Sequence, residues 1–187
     1  IGVKFSTGDV RLNLAAFRQE FKNFQLNTFN GSVFIVQNVN GCGTDLGNTD
    51  SDPSPVTGAC DPDEVEAGVI STGVELEATI FPAPDFTLTG GVTYANTRYR
   101  DNLVGTSVGT ALDPALFLLS GDNLSNAPEL VVTGSATYTP EIGNTGLTGL
   151  FYVDTRLTSD YNTGSDLFPE KEQDGYVLVN ARIGIRG

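Results

Sequence analysis

The feature that most constrains this chain is long, strict alternation of apolar and polar residues. From Leu147 to Leu157, Leu147, Gly149, Phe151, Val153, Thr155 and Leu157 share one side, opposite Thr148, Leu150, Tyr152, Asp154 and Arg156. From Tyr176 to Arg186, Val177, Val179, Ala181, Ile183 and Ile185 oppose Asn180, Arg182 and Arg186. From Val69 to Phe81, Val74, Leu76, Ala78 and Ile80 oppose Ser71, Gly73, Glu75, Glu77 and Thr79. Phe86, Leu88, Val92 and Tyr94 oppose a run of threonines at 87, 89, 93 and 97. Successive strand side chains point to opposite faces, so each stretch reads as a strand with one greasy and one polar side. Between Val10 and Gln25 the pattern switches, with Leu12, Leu14 and Ala16 on one face but Phe17 and Phe21 on the other. A bulge, or exit from the apolar layer, accounts for such a switch.

The lengths and connections narrow the fold. The complete strands run roughly 13 to 16 residues, against about five or six in an ordinary globular sheet. Seven are expected, at 1–6, 9–25, 66–81, 85–99, 126–140, 145–160 and 173–187. Short turns near 6–9, 82–85 and 140–145 fall on one edge, and long connections over 26–66, 100–125 and 161–172 fall on the other. Tight turns opposite long loops, on long two-faced strands, are the pattern of outer-membrane β-barrels. Lipid supplies no hydrogen-bond partners, so a spanning sheet must close on itself with its apolar side outward. The expected fold is therefore all-β, an antiparallel transmembrane barrel section of about seven meander strands.

Composition excludes other classes. The chain has 187 residues and a formal net charge of −13, which disfavours nucleic acid, whose binding is driven by cations. With no His, imidazole-based triads and metal clusters are excluded, and two Cys cannot build a four-thiolate zinc site. No apolar run is long enough for a transmembrane helix. An Ile start and the absence of Met suggest a processed or partial polypeptide. Most acids lie in the long connections, including Asp45, Asp50, Asp52, Asp61, Asp63, Glu64 and Glu66 in the first. Such runs read first as solvated loop faces.

Four segments, taken in order, resemble a known family. They are Phe17-Arg-Gln-Glu-Phe-Lys-Asn-Phe-Gln25, Gly73-Val-Glu-Leu-Glu77, Leu124-Ser-Asn-Ala-Pro128 and Tyr176-Val-Leu-Val-Asn-Ala-Arg-Ile183. Together they are similar to the C-terminal half of the 22-stranded barrel of TonB-dependent receptors, over almost the whole chain. The resemblance implies that residues 1–187 are part of one outer-membrane barrel domain, with the plug domain and the rest of the barrel outside this chain. It implies energy-coupled uptake of a siderophore, vitamin or oligosaccharide in a Gram-negative outer membrane, and contact with lipid and lipopolysaccharide. TonB would act through the plug, other envelope proteins could be further partners, and no cofactor is implied. Two alternatives stay open, a small complete outer-membrane barrel with a structural or adhesin role, and a secreted β-sandwich binding module.

Cys42 and Cys60 flank the acidic insertion, and in an oxidising envelope they are expected to form a loop disulfide. Asp50, Asp52, Asp61 and Asp63 offer the hard oxygens calcium takes, but their spacing does not follow an EF-hand and Pro53 and Pro55 interrupt it, so no metal is expected. Asp45, Asp50, Asp52, Asp61, Asp63, Phe117 and Leu118 are candidates for an outer ligand vestibule. Asp113 followed by Pro114 predicts a short capped helix carrying the Leu116–Leu119 apolar cluster. Glu75, Glu77, Asp154, Arg156 and Arg182, with Arg186, are expected to face a lumen and to pair with one another or with a plug. Glu75 and Glu77 superficially suggest a catalytic pair, but nothing supplies a nucleophile or oxyanion hole, so no enzyme is expected. Tyr94, Tyr99, Tyr138, Tyr152, Tyr161 and Tyr176 lie near strand ends in several cases, as interfacial girdles require.

Overall fold

The computed structural model describes residues 1–29, 32–44 and 58–187. Along them run β1 (Gly2–Ser6), β2 (Val10–Phe21), β3 (Phe24–Phe29), β4 (Phe34–Cys42), β5 (Val65–Ala67), β6 (Val69–Ala83) and β7 (Phe86–Tyr99). Then follow β8 (Leu103–Val104), β9 (Leu130–Tyr138), β10 (Thr148–Thr158), β11 (Tyr161–Asn162), β12 (Glu172–Gln173) and β13 (Tyr176–Arg186). Seven of them form one antiparallel sheet in the order β1-β2-β6-β7-β9-β10-β13. These correspond to the seven expected strands. The sheet is an open one, because β1 and β13 do not pair with each other.

Register turns sequence alternation into two continuous faces. Val3, Leu14, Leu76, Val92, Val132, Leu157 and Val177 lie in one row across the seven strands. Because side chains alternate, rows an even number of residues away on each strand share this face, and they add Phe5, Leu12, Val74, Ile80, Phe86, Val153 and Ile183. That face is uncovered, with Val179 at 65% and Ile183 at 78% exposure. A bare apolar surface of this breadth is not stable against water and marks contact with lipid or another apolar phase.

The irregularity in β2 is an exit from the apolar layer, not a bulge. Pairing with β6 is unbroken from Val10↔Ile80 to Phe21↔Val69. Along the apolar face, Val10, Leu12, Leu14 and Ala16 give way to Arg18 and Glu20, whose side chains form an ion pair of 2.7 Å. The strand keeps its geometry while the surroundings change. On β7 the same boundary falls after Tyr94, where Asn96 and Arg98 follow on that face.

At the short-turn end of the apolar face, Tyr138 contacts Phe86 edge-on (6.0 Å between ring centres) and stacks on Phe151 (6.3 Å). With Tyr94 nearer the other end, these rings fit the expected girdle. Tyr99 does not, since it is 1% exposed and belongs to a core described next. Register explains the difference, because Tyr99 pairs with Val69 on the polar face.

The buried core lies beyond the sheet, in the long connections. Leu26, Val39, Leu103, Leu112, Leu116, Leu119 and Leu167 pack with Val69 and Tyr99 in one cluster. The connections, in which the sequence predicted only the short helix after Asp113, thus hold further structure of their own. β3 and β4 form a hairpin, from Phe24↔Val39 to Phe29↔Phe34, and the far end of β4 pairs with β5 and β8. Since Val69 and Tyr99 point to the polar face, this assembly stands on that face at the long-loop end and caps it.

Candidate functional site: a stapled cap over a polar wall

The cap is built from the ends of the strands inward. Asn40 is fully buried, yet its side chain accepts from the backbone N–H of Asn23 (2.7 Å) and donates to Asn23 Oδ1 (3.0 Å). A buried amide with these partners fixes where β4 crosses the start of β3 and costs little desolvation. Gly68 lets the junction between β5 and β6 lie close against β4, because a Cβ there would lie 2.7 Å from Asn40 Cα. Lys22 Nζ donates to the Val65 carbonyl (2.7 Å), and Arg100 pairs with Glu66 (2.6 Å).

Cys42 and Cys60 are disulfide-bonded, with Cα atoms 5.9 Å apart, and both are buried beside Val65 and Val104. The Cys42 N–H donates to Asn102 O (2.9 Å) and the Cys60 N–H to Gly109 O (2.8 Å). The sulfurs and a Glu64 carboxylate oxygen lie within 4.8 Å of one another. A disulfide offers no thiolate, so this group does not suit a metal. Glu64 Oε2 instead accepts from Thr44 (3.0 Å).

Asp113 accepts from the Ala115 N–H (2.9 Å) and caps the 3-10 helix Pro114–Leu119. Its backbone N–H donates to Gln37 Oε1 (2.9 Å), tying the helix to the β3–β4 hairpin. Leu116 and Leu119 are fully buried, Leu118 packs against the core, and Phe117 stays 52% exposed. Of the two apolar vestibule candidates, then, Phe117 presents its ring outward and Leu118 helps hold the cap together. Asp61, just before the 3-10 turn Pro62–Glu64, and Asp63 within it are both exposed. Asp45, Asp50 and Asp52 lie outside the described residues.

Below the cap is the polar wall. Glu75, Glu77, Asp154, Arg156 and Arg182 all share it by register. Of the two expected kinds of partner, one another or a plug, these charges form no ion pair with one another among the described residues. Asn13 donates to Glu77 (3.2 Å) and Asn180 to Asp154 (2.9 Å). Among the described residues the ion pairs are Arg18–Glu20, Arg100–Glu66 and Lys171–Asp166. Asp154, two residues from Arg156 on one strand face, is taken by Asn180 from the next strand, and for Glu77 and Arg156 spacing gives the reason. Glu77, Gly91, Thr133 and Arg156 lie in one register row, which puts three interstrand steps, about 14 Å, between acid and base. The strands between carry small side chains on this face, including Thr89, Gly91, Thr93, Thr133 and Ser135, with Thr89 and Ser135 hydroxyls 2.6 Å apart.

At the upper end of the wall, a cavity of about 220 Å³ is lined by Asp122, Asp160, Glu172, Asp174, Tyr161 and neighbouring amides. A hydrogen bond to Tyr176 raises the Tyr161 pKa, as does desolvation, while the Arg156 guanidinium pulls it down.

Alternation marked both faces of the sheet in advance. It missed the cap core at Leu26, Val39, Leu103, Leu112 and Leu167, and the buried Asn40. The signal for the hairpin was present only in part, since Phe24-Gln-Leu-Asn27 alternates while Phe34-Ile-Val-Gln-Asn-Val39 does not.

The family model for TonB dependent receptor-like β-barrels matches residues 1–186, and the chain belongs to that family. TonB-dependent receptors are outer-membrane transporters of Gram-negative bacteria and not enzymes. Among solved structures, the chain is similar to the ferric yersiniabactin uptake receptor FyuA of Yersinia pestis, with TM-score 0.62 and 15% identity over 98% of this chain. It is also similar to the siderophore receptor PiuA of Acinetobacter baumannii, with TM-score 0.54 and 16% identity over 96% of this chain. The chain spans 21% and 20% of those proteins' lengths. No curated protein matches it.

Proposed function

We propose that residues 1–187 form part of the barrel wall and the outer cap of a receptor that takes up a ferric siderophore across the outer membrane, driven by TonB. The observation that carries this reading is one sheet with two unlike faces, an uncovered apolar face that stops at Arg18 and Glu20, and a polar wall roofed by a folded cap. Lipid, with lipopolysaccharide in the outer leaflet, covers the apolar face. Glu75, Glu77, Asp154, Arg156 and Arg182 then face the lumen, where a plug lying outside these residues supplies their partners and relays force from TonB. Asp61, Asp63 and Phe117 line the outer vestibule, with Asp45, Asp50 and Asp52 assigned there by sequence. The siderophore is favoured over a vitamin or oligosaccharide because both structural neighbours are siderophore receptors.

Uptake of radiolabelled iron tests the reading. Cells deleted for this receptor and supplied with a panel of ferric siderophores should lose energy-dependent accumulation of one of them, and the loss should be reproduced by removing TonB. Undiminished uptake of every ferric siderophore, alongside lost uptake of a sugar or a cobalamin, would replace the ligand class. Recovery of the protein in the soluble periplasmic fraction would remove the membrane reading altogether.

A further inference from the structure

We propose that the three long connections are one cooperative unit that opens as a whole, with the Cys42–Cys60 bond as its clasp. Each connection contributes to a core that none could bury alone. Leu26 and Val39 come from the first, Leu112 and Leu116 from the second and Leu167 from the third, and they meet over Tyr99. Withdrawing any one connection exposes apolar surface of the others, which couples their openings.

The polar links cross the same boundaries. Each cysteine amide donates to a carbonyl of the second connection, at Asn102 (2.9 Å) and Gly109 (2.8 Å). Ser165 of the third connection donates to the Asn27 carbonyl of the first (3.1 Å). The disulfide closes a span of 18 residues within the first connection, and both its ends are buried. Breaking it therefore loosens the site where the second connection is anchored, and through the shared core the third. Below the strand ends that carry Val69 and Tyr99, the sheet holds without the cap, because its ladders run from β1 to β13 on their own. The cap is thus preformed, and any ligand meets an assembled surface in place of three separately closing loops. This inference does not rest on the identity of the ligand or on transport.

Native-state hydrogen exchange on the intact protein in detergent, with and without reductant, tests it. With the disulfide intact, amides of β4, of residues 102–112 and of residues 163–167 should share one opening free energy. Reduction should speed exchange in all three by a similar factor, about a hundredfold from the entropy of the released span, and leave β6 and β7 between Leu76 and Val92 unchanged. Acceleration confined to residues around Cys42 and Cys60 would overturn the proposal. Where reduced protein does not stay folded, Leu116→Ala with the disulfide intact gives the same readout. It should accelerate exchange in all three connections, and acceleration restricted to residues near 116 would equally overturn it.

Discussion

The backbone N–H of Cys60 donates to the carbonyl of Gly109 at 2.8 Å, which joins a disulfide in one connection to a left-handed turn in another. Gly109 has φ of +78°, and a Cβ there would collide with the Cys60 carbonyl. Gly109→Ala should therefore cost the cap about 1–3 kcal/mol, through both the unfavourable backbone region and the collision. Faster limited proteolysis within 100–125, with an unchanged strand content by circular dichroism, is the expected result.

Leu112 and Phe117 sit five residues apart and should behave oppositely. Leu112 is 1% exposed within the cap core, so Leu112→Ala should cost about 2–5 kcal/mol by leaving a cavity. Phe117 is 52% exposed, so Phe117→Ala should change stability by less than about 0.5 kcal/mol. Chemical denaturation followed by a probe in the cap separates the two. Under the receptor reading, Phe117→Ala should also weaken ligand binding, measurable by titration.

The two faces of β7 make a similar contrast for charge. Val92 lies in the central row of the apolar face, and Thr93 faces the polar wall. Val92→Arg should cost about 2–4 kcal/mol of folding free energy in lipid vesicles, the range for a cation at mid-depth on a barrel's lipid face. Thr93→Arg should cost much less. Equal losses for the two variants would contradict the assignment of faces.

Tyr138 stands between Phe86 and Phe151 and should be coupled to both. A double-mutant cycle on Phe86→Leu and Tyr138→Leu should give an interaction energy of about 0.5–1.5 kcal/mol, the usual worth of an aromatic pair beyond its buried area. Refolding into vesicles, monitored by gel mobility across a urea series, supplies the four stabilities.

The sheet was legible in the sequence because its rule is local. A side chain two residues along faces the same way, so Leu12, Leu14 and Ala16, or Val177, Val179 and Ala181, declare a face without knowledge of any partner strand. The cap was not legible because its rule is distant. Leu26, Leu112 and Leu167 meet across more than a hundred residues of chain, and nothing near each one marks it as buried. Tyr99 shows how the two rules diverge, since its place at a strand end suggested a girdle and its partners in the cap decided otherwise. The wall charges show a third rule, that a shared face does not by itself bring partners together. Glu77 and Arg156 are of opposite sign and share a face, but three interstrand steps keep them apart.

The unbroken register of β2 has a consequence for how this wall can change in evolution. Twelve consecutive pairs join it to β6 while the outward face passes from Ala16 to Arg18. Inserting two residues between Val10 and Ala16 preserves every orientation and only shifts the point at which apolar side chains give way to charged ones. Inserting one residue exchanges the faces of all that follows, turning Phe17 and Phe21 outward in place of Arg18 and Glu20. Lengthening in pairs is tolerated and lengthening by ones is not. Parity, more than length, is what the strand must conserve.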